Sequence, residues 1–255
     1  MAYATVPNTS FADPLGDLLQ NLPPTVRLFI EAAKKNCRVV FISSGGTVYG
    51  PPQTLPITED HPTAPISPYG LTKLTLEKYA FLYATTHGLK VTCVRPANAY
   101  GVGQRPFSGQ GFVATAMASA MLGQTIKVFG SGEIIRDYIY VSDIAAGIFS
   151  ALEHGQIGAT YNVGSGIGVS NGEMVKLIGP LLQEVGFACH VEYMPERAFD
   201  VSRNVLDSSR LTASTGWVPK VQLPEGLICT REWLMKNMNE WSSGGSTGND
   251  GEASR

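Results

Sequence analysis

Tyr69 and Lys73 stand four residues apart in the run SPYGLTK, a spacing that places both side chains on one face of a helix. A neighbouring ammonium favours the phenolate, so it lowers the pKa of a tyrosine and suits it to proton transfer near neutral pH. Such pairs also arise by chance. This one gains weight from the preceding loop, which carries the hydroxyls of Ser43, Ser44 and Thr47. The pattern therefore predicts a proton-transfer site.

A strand, a helix and a second strand must position this pair. Arg38 to Ile42 (RVVFI) is a β-branched run that ends at the Ser/Gly loop, a pattern typical of a buried parallel strand. A helix capped at Ser67-Pro68 is expected to run to about His87. Lys90 to Arg95 (KVTCVR) then forms the next strand. The order strand, helix, strand predicts a parallel sheet.

Periodic segments continue on both sides of this unit. Pro14 to Lys35 has apolar residues at helical spacing despite Pro23-Pro24. From Asn237 onward the chain is polar and rich in Gly and Ser, which predicts a disordered tail. The other expected elements are a helix from Gly111 to about Leu122, a strand at Ile126 to Phe129, a helix from Ser142 through His154, a strand at Ala159 to Val163, and a helix after Ser170, which forms a capping box with Glu173.

Composition excludes several classes of protein. The 255 residues are 44% hydrophobic and 16% charged, enough apolar content to bury a core. A net charge of -2 gives no electrostatic footprint for nucleic acid or an acidic membrane. With no apolar span and no signal-peptide pattern, we expect a cytoplasmic protein that acts on small molecules. The four cysteines and four histidines lack ligand spacing, so no metal site is predicted.

Four motifs in order make the chain recognisable. Together they resemble the extended short-chain dehydrogenase/reductase (NAD-dependent epimerase/dehydratase) family, with the UDP-glucose 4-epimerases as the nearest branch, over about Ala2 to Trp233. The motifs are SSGGTVYG at Ser43 to Gly50, SPYGLTK at Ser67 to Lys73, RPANAYG at Arg95 to Gly101 and RDYIYVSDIA at Arg136 to Ala145.

The resemblance implies an α/β fold with two parts. The first is a Rossmann-like parallel sheet that lacks its first strands and Gly-rich loop, and the second is a smaller α/β substrate-binding lobe. The implied boundaries are residues 1–103 for the partial NAD-binding domain, with a strand return near 138–163, residues 104–137 and 164–236 for the lobe, and 237–255 for the tail.

The resemblance also implies roles for individual residues. Tyr69 would be the catalytic base and acid, and Lys73 would hold the nicotinamide ribose of NAD and lower the pKa of the tyrosine. The other implied NAD contacts are Asn21, Ser43, Ser44 and Pro96, and the implied substrate contacts are Asn98, Arg136, Arg197 and Asp200. Guanidinium groups suit the oxygens of a nucleotide diphosphate, and a carboxylate accepts hydrogen bonds from ribose hydroxyls.

One departure from the family concerns the catalytic loop. The best-known epimerases carry a catalytic serine where this chain has Gly45, so Thr47 or Ser44 is expected to supply the missing hydroxyl, with Thr47 favoured. Related 4,6-dehydratases carry an acidic pair where Gly46 and Thr47 stand. Water elimination by that route is therefore not expected.

A second departure concerns the cofactor. Family members begin with a strand and a glycine-rich turn for the NAD pyrophosphate, whereas the single GxGxxA match here, Gly109 to Ala114, follows a polar loop and no strand. Aligned by its motifs, Met1 falls near the end of the family's fourth strand. These observations predict an amino-terminally truncated chain that binds NAD weakly or not at all by itself.

The leading functional prediction is a nucleotide-sugar 4-epimerase of the UDP-glucose/UDP-galactose type that passes through a 4-keto sugar. One alternative is a nucleotide-sugar reductase, dehydratase or decarboxylase of the same family, and another is a non-catalytic binding or scaffold subunit. Because family dimers pair the helix of the Tyr/Lys motif with the helix before it, the resemblance also implies a homodimer.

Overall fold

A computed structural model describes residues 3–196 and 201–242. Helices and strands alternate over the first part of the chain, as predicted. The helices are α1 (Pro7–Ala12), α2 (Pro14–Lys34), α3 (Pro68–His87), α4 (Phe112–Met121), α5 (Val141–Glu153), α6 (Asn171–Gln183), α7 (Ser209–Thr215), α8 (Leu223–Lys236) and α9 (Met238–Ser242). The strands are β1 (Arg38–Ile42), β2 (Lys90–Pro96), β3 (Asn98–Tyr100), β4 (Ile126–Phe129), β5 (Ile135–Tyr140), β6 (Thr160–Val163), β7 (Gly168–Ser170), β8 (Val191–Met194) and β9 (Arg203–Asn204).

The predicted parallel sheet consists of three strands in the order β1-β2-β6. Strand β1 runs parallel to β2, with Phe41 opposite Cys93, and β2 runs parallel to β6. Strand β2 is buried along most of its length, but β1 lies at the edge of the sheet and buries only Phe41 fully. The prediction that β1 is a buried strand is therefore wrong. Within the described residues β1 pairs with β2 along one edge, and no strand pairs with its other edge.

The helices that flank this sheet begin and end where the sequence predicts. The Ser67 hydroxyl accepts a hydrogen bond from the Gly70 amide at 3.1 Å, and Gly88 ends α3 in the left-handed conformation at φ 67°. Helix α2 continues through Pro23 and Pro24. Its buried face packs along α3 and consists of Asp17, Asn21, Thr25, Phe29 and Ala32.

A second layer packs around the Ala-rich helix α4. Helices α4, α6 and α8 and the parallel pair β4 and β8 enclose one apolar cluster that contains Met117, Met174 and Leu227. Between this cluster and the parallel sheet, β5 pairs with β3, with β7 in antiparallel orientation and with β9. The capping box of Ser170 and Glu173 at the start of α6 is formed as predicted.

The predicted disordered tail is described only as far as residue 242, where the structure differs from the prediction, and residues 243–255 lie outside the described residues. Residues 238–242 form α9, and Trp241 is buried and donates its indole N–H to the Leu234 carbonyl at 3.0 Å. One aromatic side chain thus anchors a polar segment that local composition marks as disordered. None of the helices in the described ranges is long and apolar enough to cross a bilayer.

Candidate active site

The Tyr69/Lys73 pair lies at the carboxyl end of β1. Lys73 Nζ donates a hydrogen bond to the Ile42 carbonyl at 2.9 Å, immediately before the Ser/Gly loop. Lys73 is buried and Tyr69 is half-buried, one turn apart on α3. The structure thus brings together the pair and the loop that the sequence singled out.

An unexpected aromatic ring covers the pair. Lys73 Nζ lies 3.8 Å from the centre of the Tyr3 ring and 5.5 Å from that of Tyr69, and the two rings meet edge to face at 5.0 Å. Tyr3 lies more than sixty positions away in sequence and belongs to none of the motifs. No local signal identifies it, because the contact depends on how the first segment crosses α2 and α3.

Burial sets the ionisation of both groups. It lowers the pKa of Lys73 to about 8, while the carboxylates of Asp17 and Glu77 oppose that change. Burial and then Asp17 raise the pKa of Tyr69 to about 12. The lowered tyrosine pKa expected from the spacing is therefore absent here, since burial and the Asp17 carboxylate both disfavour the phenolate.

The loop after β1 presents hydroxyls that have no partner. Ser43 Oγ and Thr47 Oγ1 are buried and make no hydrogen bond within the described structure. Buried polar atoms are nearly always paired, so these two mark a place where a ligand can bind. Ser44 is half-buried, and its carbonyl accepts from the amides of Thr47 and Val48.

The Thr47 backbone packs against Gly70 in the first turn of α3. A Cβ on Gly70 would lie 2.7 Å from the Thr47 carbonyl oxygen, so the loop contacts the residue that follows Tyr69. Only glycine permits this approach. The contact places the Thr47 backbone against the first turn of α3, which carries Tyr69.

Gly45 itself has no room for a side chain. A Cβ there would lie 2.4 Å from Leu206 Cδ1 and 2.9 Å from the Arg95 carbonyl oxygen. The Gly45 amide donates to the Pro96 carbonyl at 2.9 Å, and Asn204 Nδ2 donates to the Gly45 carbonyl at 3.0 Å. Asn204 was not predicted, because nothing in the local sequence connects β9 with this loop.

Asn21 holds the segment that carries Tyr3. Its Oδ1 accepts from the Ala4 amide at 2.8 Å, and its Nδ2 donates to the Asp17 carbonyl at 2.7 Å and to the Thr5 hydroxyl at 3.2 Å. The side chain is thus committed to fixing the approach of this segment to α2. Its contact with the cofactor stays a prediction, as does that of Pro96.

The predicted substrate residues are only partly described. Asn98 lies beside the loop, since its Oδ1 is 3.9 Å from the position that a Cβ on Gly46 would occupy. Its Nδ2 donates a hydrogen bond to the Asp137 carbonyl at 3.4 Å. Arg136 on β5 donates to the Val201 carbonyl at 2.6 Å. The two remaining predicted residues, Arg197 and Asp200, lie outside the described residues.

A buried ion pair supports α3 behind the site. Arg95 on β2 donates from Nε and Nη2 to the two carboxylate oxygens of Glu77 at 2.9 and 2.6 Å, and from Nη1 to the Tyr49 hydroxyl at 2.9 Å. Tyr49 in turn donates to Asn162 Oδ1 at 2.7 Å. Bidentate geometry of this kind fixes orientation as well as distance.

Comparison with known proteins identifies relatives over nearly the whole chain. The profile described as the NAD dependent epimerase/dehydratase family matches residues 1–164. The UDP-glucose 4-epimerase of Mycolicibacterium smegmatis is 37% identical over 226 residues, which make up 88% of this chain and 71% of that protein. The dTDP-glucose 4,6-dehydratase of Streptomyces griseus is 32% identical over 214 residues, 83% of this chain and 63% of that protein.

Solved structures give the same relationship. The UDP-glucose 4-epimerase of Thermotoga maritima, solved with UDP-glucose, superposes with a TM-score of 0.89 at 32% identity and covers 93% of this chain. This chain spans 76% of that structure. Both an epimerase and a dehydratase are thus among the relatives, and each is longer than this chain.

Proposed function

The chain belongs to the NAD-dependent epimerase/dehydratase family, and we propose that it acts as a nucleotide-sugar 4-epimerase that interconverts UDP-glucose and UDP-galactose. The observation that carries the proposal is the position of Tyr69 and Lys73, at the end of β1 beside the unpartnered hydroxyls of Ser43 and Thr47. Parallel α/β sheets bind ligands at this edge.

The residues present suit the nicotinamide-ribose half of NAD. Ser43 Oγ has no hydrogen-bond partner in the described structure. The Lys73 ammonium can donate hydrogen bonds to ribose hydroxyls. We propose that this half of NAD is held by Asn21, Ser43, Ser44, Tyr69, Lys73 and Pro96. When bound, NAD accepts a hydride from the sugar and returns it.

In the proposed mechanism, Tyr69 takes the proton of the sugar's 4-hydroxyl as C4 is oxidised to the ketone. The sugar then rotates, and Tyr69 returns the proton to the 4-oxygen on the opposite face. Because the pKa of Tyr69 is about 12 in this structure, its phenolate requires closer approach of the Lys73 ammonium. Thr47 Oγ1, or the hydroxyl of Ser44, orients the 4-oxygen in place of the family's serine.

The nucleotide diphosphate is proposed to bind between the loop and β5. Asn98, beside Gly46, and Arg136, on β5, supply amide and guanidinium donors. Arg197 and Asp200 stay candidates for the second phosphate contact and the nucleoside sugar.

A second candidate function is another nucleotide-sugar reaction of this family, favoured by the identity to the Streptomyces dehydratase. Gly46 and Thr47 offer no carboxyl group for the acid and base of water elimination, which favours epimerisation.

Product analysis distinguishes these reactions. The purified protein is incubated with excess NAD and, separately, with UDP-glucose, UDP-N-acetylglucosamine and dTDP-glucose, and the sugars are identified by NMR. We expect the C4 epimer of a UDP-sugar. A 4-keto-6-deoxy sugar would instead assign the chain as a dehydratase, and the absence of any product would favour a binding or scaffold role.

We also propose that the protein forms a homodimer through α2 and α3. These helices expose large apolar side chains, including Leu15 at 63%, Leu19 at 56%, Leu71 at 58% and Leu82 at 53% exposure. Apolar side chains clustered on a surface favour association. Light scattering at micromolar concentration should give the dimer mass for the native protein and for the control Leu177→Glu on α6, and the monomer mass for Leu19→Glu. A monomeric native protein would contradict the proposal.

A further inference from the structure

The buried carboxyl group of Asp17 has no part in the proposed mechanism. Its side chain is completely inaccessible between α2 and α3. Oδ1 accepts a hydrogen bond from the Thr5 hydroxyl, and Oδ2 accepts one from the Thr72 hydroxyl at 2.6 Å. Burying a carboxylate is costly, so a group in this position usually has a role that two hydroxyl contacts alone do not explain.

The Thr72 contact connects Asp17 directly to the proton-transfer pair. Thr72 lies between Tyr69 and Lys73 on α3, so its hydrogen bond to α2 fixes the turn that carries both groups. The segment on the other side, at Thr5, is the one that places Tyr3 over Lys73. Asp17 thus connects α3 with the segment that carries Tyr3.

Asp17 differs from the other acidic group near Lys73, because within the described residues its carboxylate is not paired with an arginine. Glu77, on the same helix, is matched by two hydrogen bonds from Arg95, and the remaining titratable neighbours are the phenols of Tyr3 and Tyr69. Asp17 comes first among the groups that raise the pKa of Lys73 against the effect of burial. Its carboxylate is therefore the main counter-charge to the ammonium.

We propose that Asp17 is a positioning residue of this site: it fixes Thr72, and with it the turn of α3 that carries Tyr69 and Lys73, and its carboxylate balances the Lys73 ammonium. The proposal rests on the proposed function for its significance to the reaction. Its physical content, a coupling between Asp17 and Lys73, can be measured without cofactor or substrate.

The test compares Asp17→Asn with Asp13→Asn. The first change keeps the size of the side chain and removes its charge, and one of the two threonine hydroxyls then accepts a hydrogen bond from the new amide group instead of donating one. The second removes a charge from the exposed N-cap of the same helix. The pKa of Lys73 is followed by NMR of protein labelled with ¹³Cε-lysine, with the resonance assigned by its loss in Lys73→Met.

In Asp17→Asn we expect the pKa of Lys73 to fall from about 8 by roughly one pH unit, because the carboxylate that favours the ammonium is removed. Asp13→Asn should leave it unchanged. The alkaline limb of kcat/KM, where the ammonium is lost, should move down by the same amount in Asp17→Asn alone. A general loss of structure would not lower the pKa of Lys73 and the pKa of the alkaline limb of kcat/KM by the same amount.

An unchanged Lys73 pKa in folded Asp17→Asn would overturn the proposal. If that variant does not fold, the Asp17 carboxyl carbon in the native protein is titrated by NMR. Its shift should then show a second step at the pKa of Lys73, and absence of that step would overturn the proposal equally. An active enzyme without the coupling refutes only the role of Asp17, whereas coupling in a protein inert toward nucleotide sugars refutes only the proposed function.

Discussion

At the scale of single residues, the structure bears on which side chain supplies the hydroxyl proposed to orient the sugar's 4-oxygen. Gly45 has no space for a side chain, since a Cβ there would lie 2.4 Å from Leu206 Cδ1 and 2.9 Å from the Arg95 carbonyl oxygen. Thr47 Oγ1 is buried without a partner, whereas the Ser44 side chain is only half-buried. Thr47 is therefore the better donor to the sugar's 4-oxygen.

Thr47→Val, which replaces the hydroxyl by a methyl group of similar size, should lower kcat by roughly 10²-fold, as loss of a donor to a developing oxyanion does. Thr47→Ser should retain most of the rate. Steady-state kinetics with a UDP-sugar and saturating NAD measure both. A larger loss in Ser44→Ala than in Thr47→Val would reassign the role to Ser44.

The sequence groups candidate site residues where they are close together along the chain, and their roles stay predictions. Tyr69 and Lys73 belong to one helix turn, and Ser43 to Thr47 form one loop. Tyr3, Asp17 and Asn204 could not be found in this way, because their contacts join distant parts of the chain. Asp17 contacts Thr72 across 55 positions and Asn204 contacts Gly45 across 159 positions, while Tyr3 lies over the distant Lys73. Asp17 lies in the first turn of α2, where acidic residues are common because they interact favourably with the helix dipole, so its position in the sequence gives no sign of a special role.

At the scale of elements, the Glu77–Arg95 pair joins α3 to β2. Both side chains are almost completely buried, with exposures of 1% and 7%. The orientation of α3, and so of Tyr69 and Lys73, relies on this pair.

Glu77→Gln leaves the Arg95 guanidinium buried without a counter-charge and should lower the free energy of unfolding by about 3–5 kcal/mol. Urea denaturation followed by circular dichroism measures the change. Glu31→Gln breaks the exposed pair with Lys34 and serves as the control, with no measurable loss expected. Equal stability of the two variants would contradict the assigned importance of the buried pair.

The elements themselves were predictable where signals are local. The cap at Ser67, the stop at Gly88 and the β-branched run of β1 each lie within a few residues of the boundary that they set. The pairing of β5 with β3, β7 and β9 depends on distant segments, and these strands are too short to show periodicity. Helix α9 depends on one buried ring, that of Trp241.

At the scale of the whole molecule, the nicotinamide-ribose half of NAD is proposed to bind at the end of β1, where Lys73 and the unpartnered Ser43 hydroxyl lie. The GxGxxA match, Gly109 to Ala114, spans the end of a loop and the start of α4 and does not lie between a strand and a helix of the parallel sheet.

Isothermal titration calorimetry with NAD tests the proposed ribose contact. We expect Lys73→Met to bind NAD more weakly than the native protein, because the ribose loses its ammonium partner. Equal affinity of the native protein and folded Lys73→Met would contradict the contact.

The central claim is that Tyr69 moves the proton at C4 of a nucleotide sugar. The most direct test compares the native protein with Tyr69→Phe, with Tyr79→Phe on the same helix as control, in excess NAD and UDP-galactose, while NMR follows the formation of UDP-glucose. The account predicts product with the native protein and with Tyr79→Phe, and none with Tyr69→Phe. Formation of UDP-glucose by Tyr69→Phe at the native rate would contradict it.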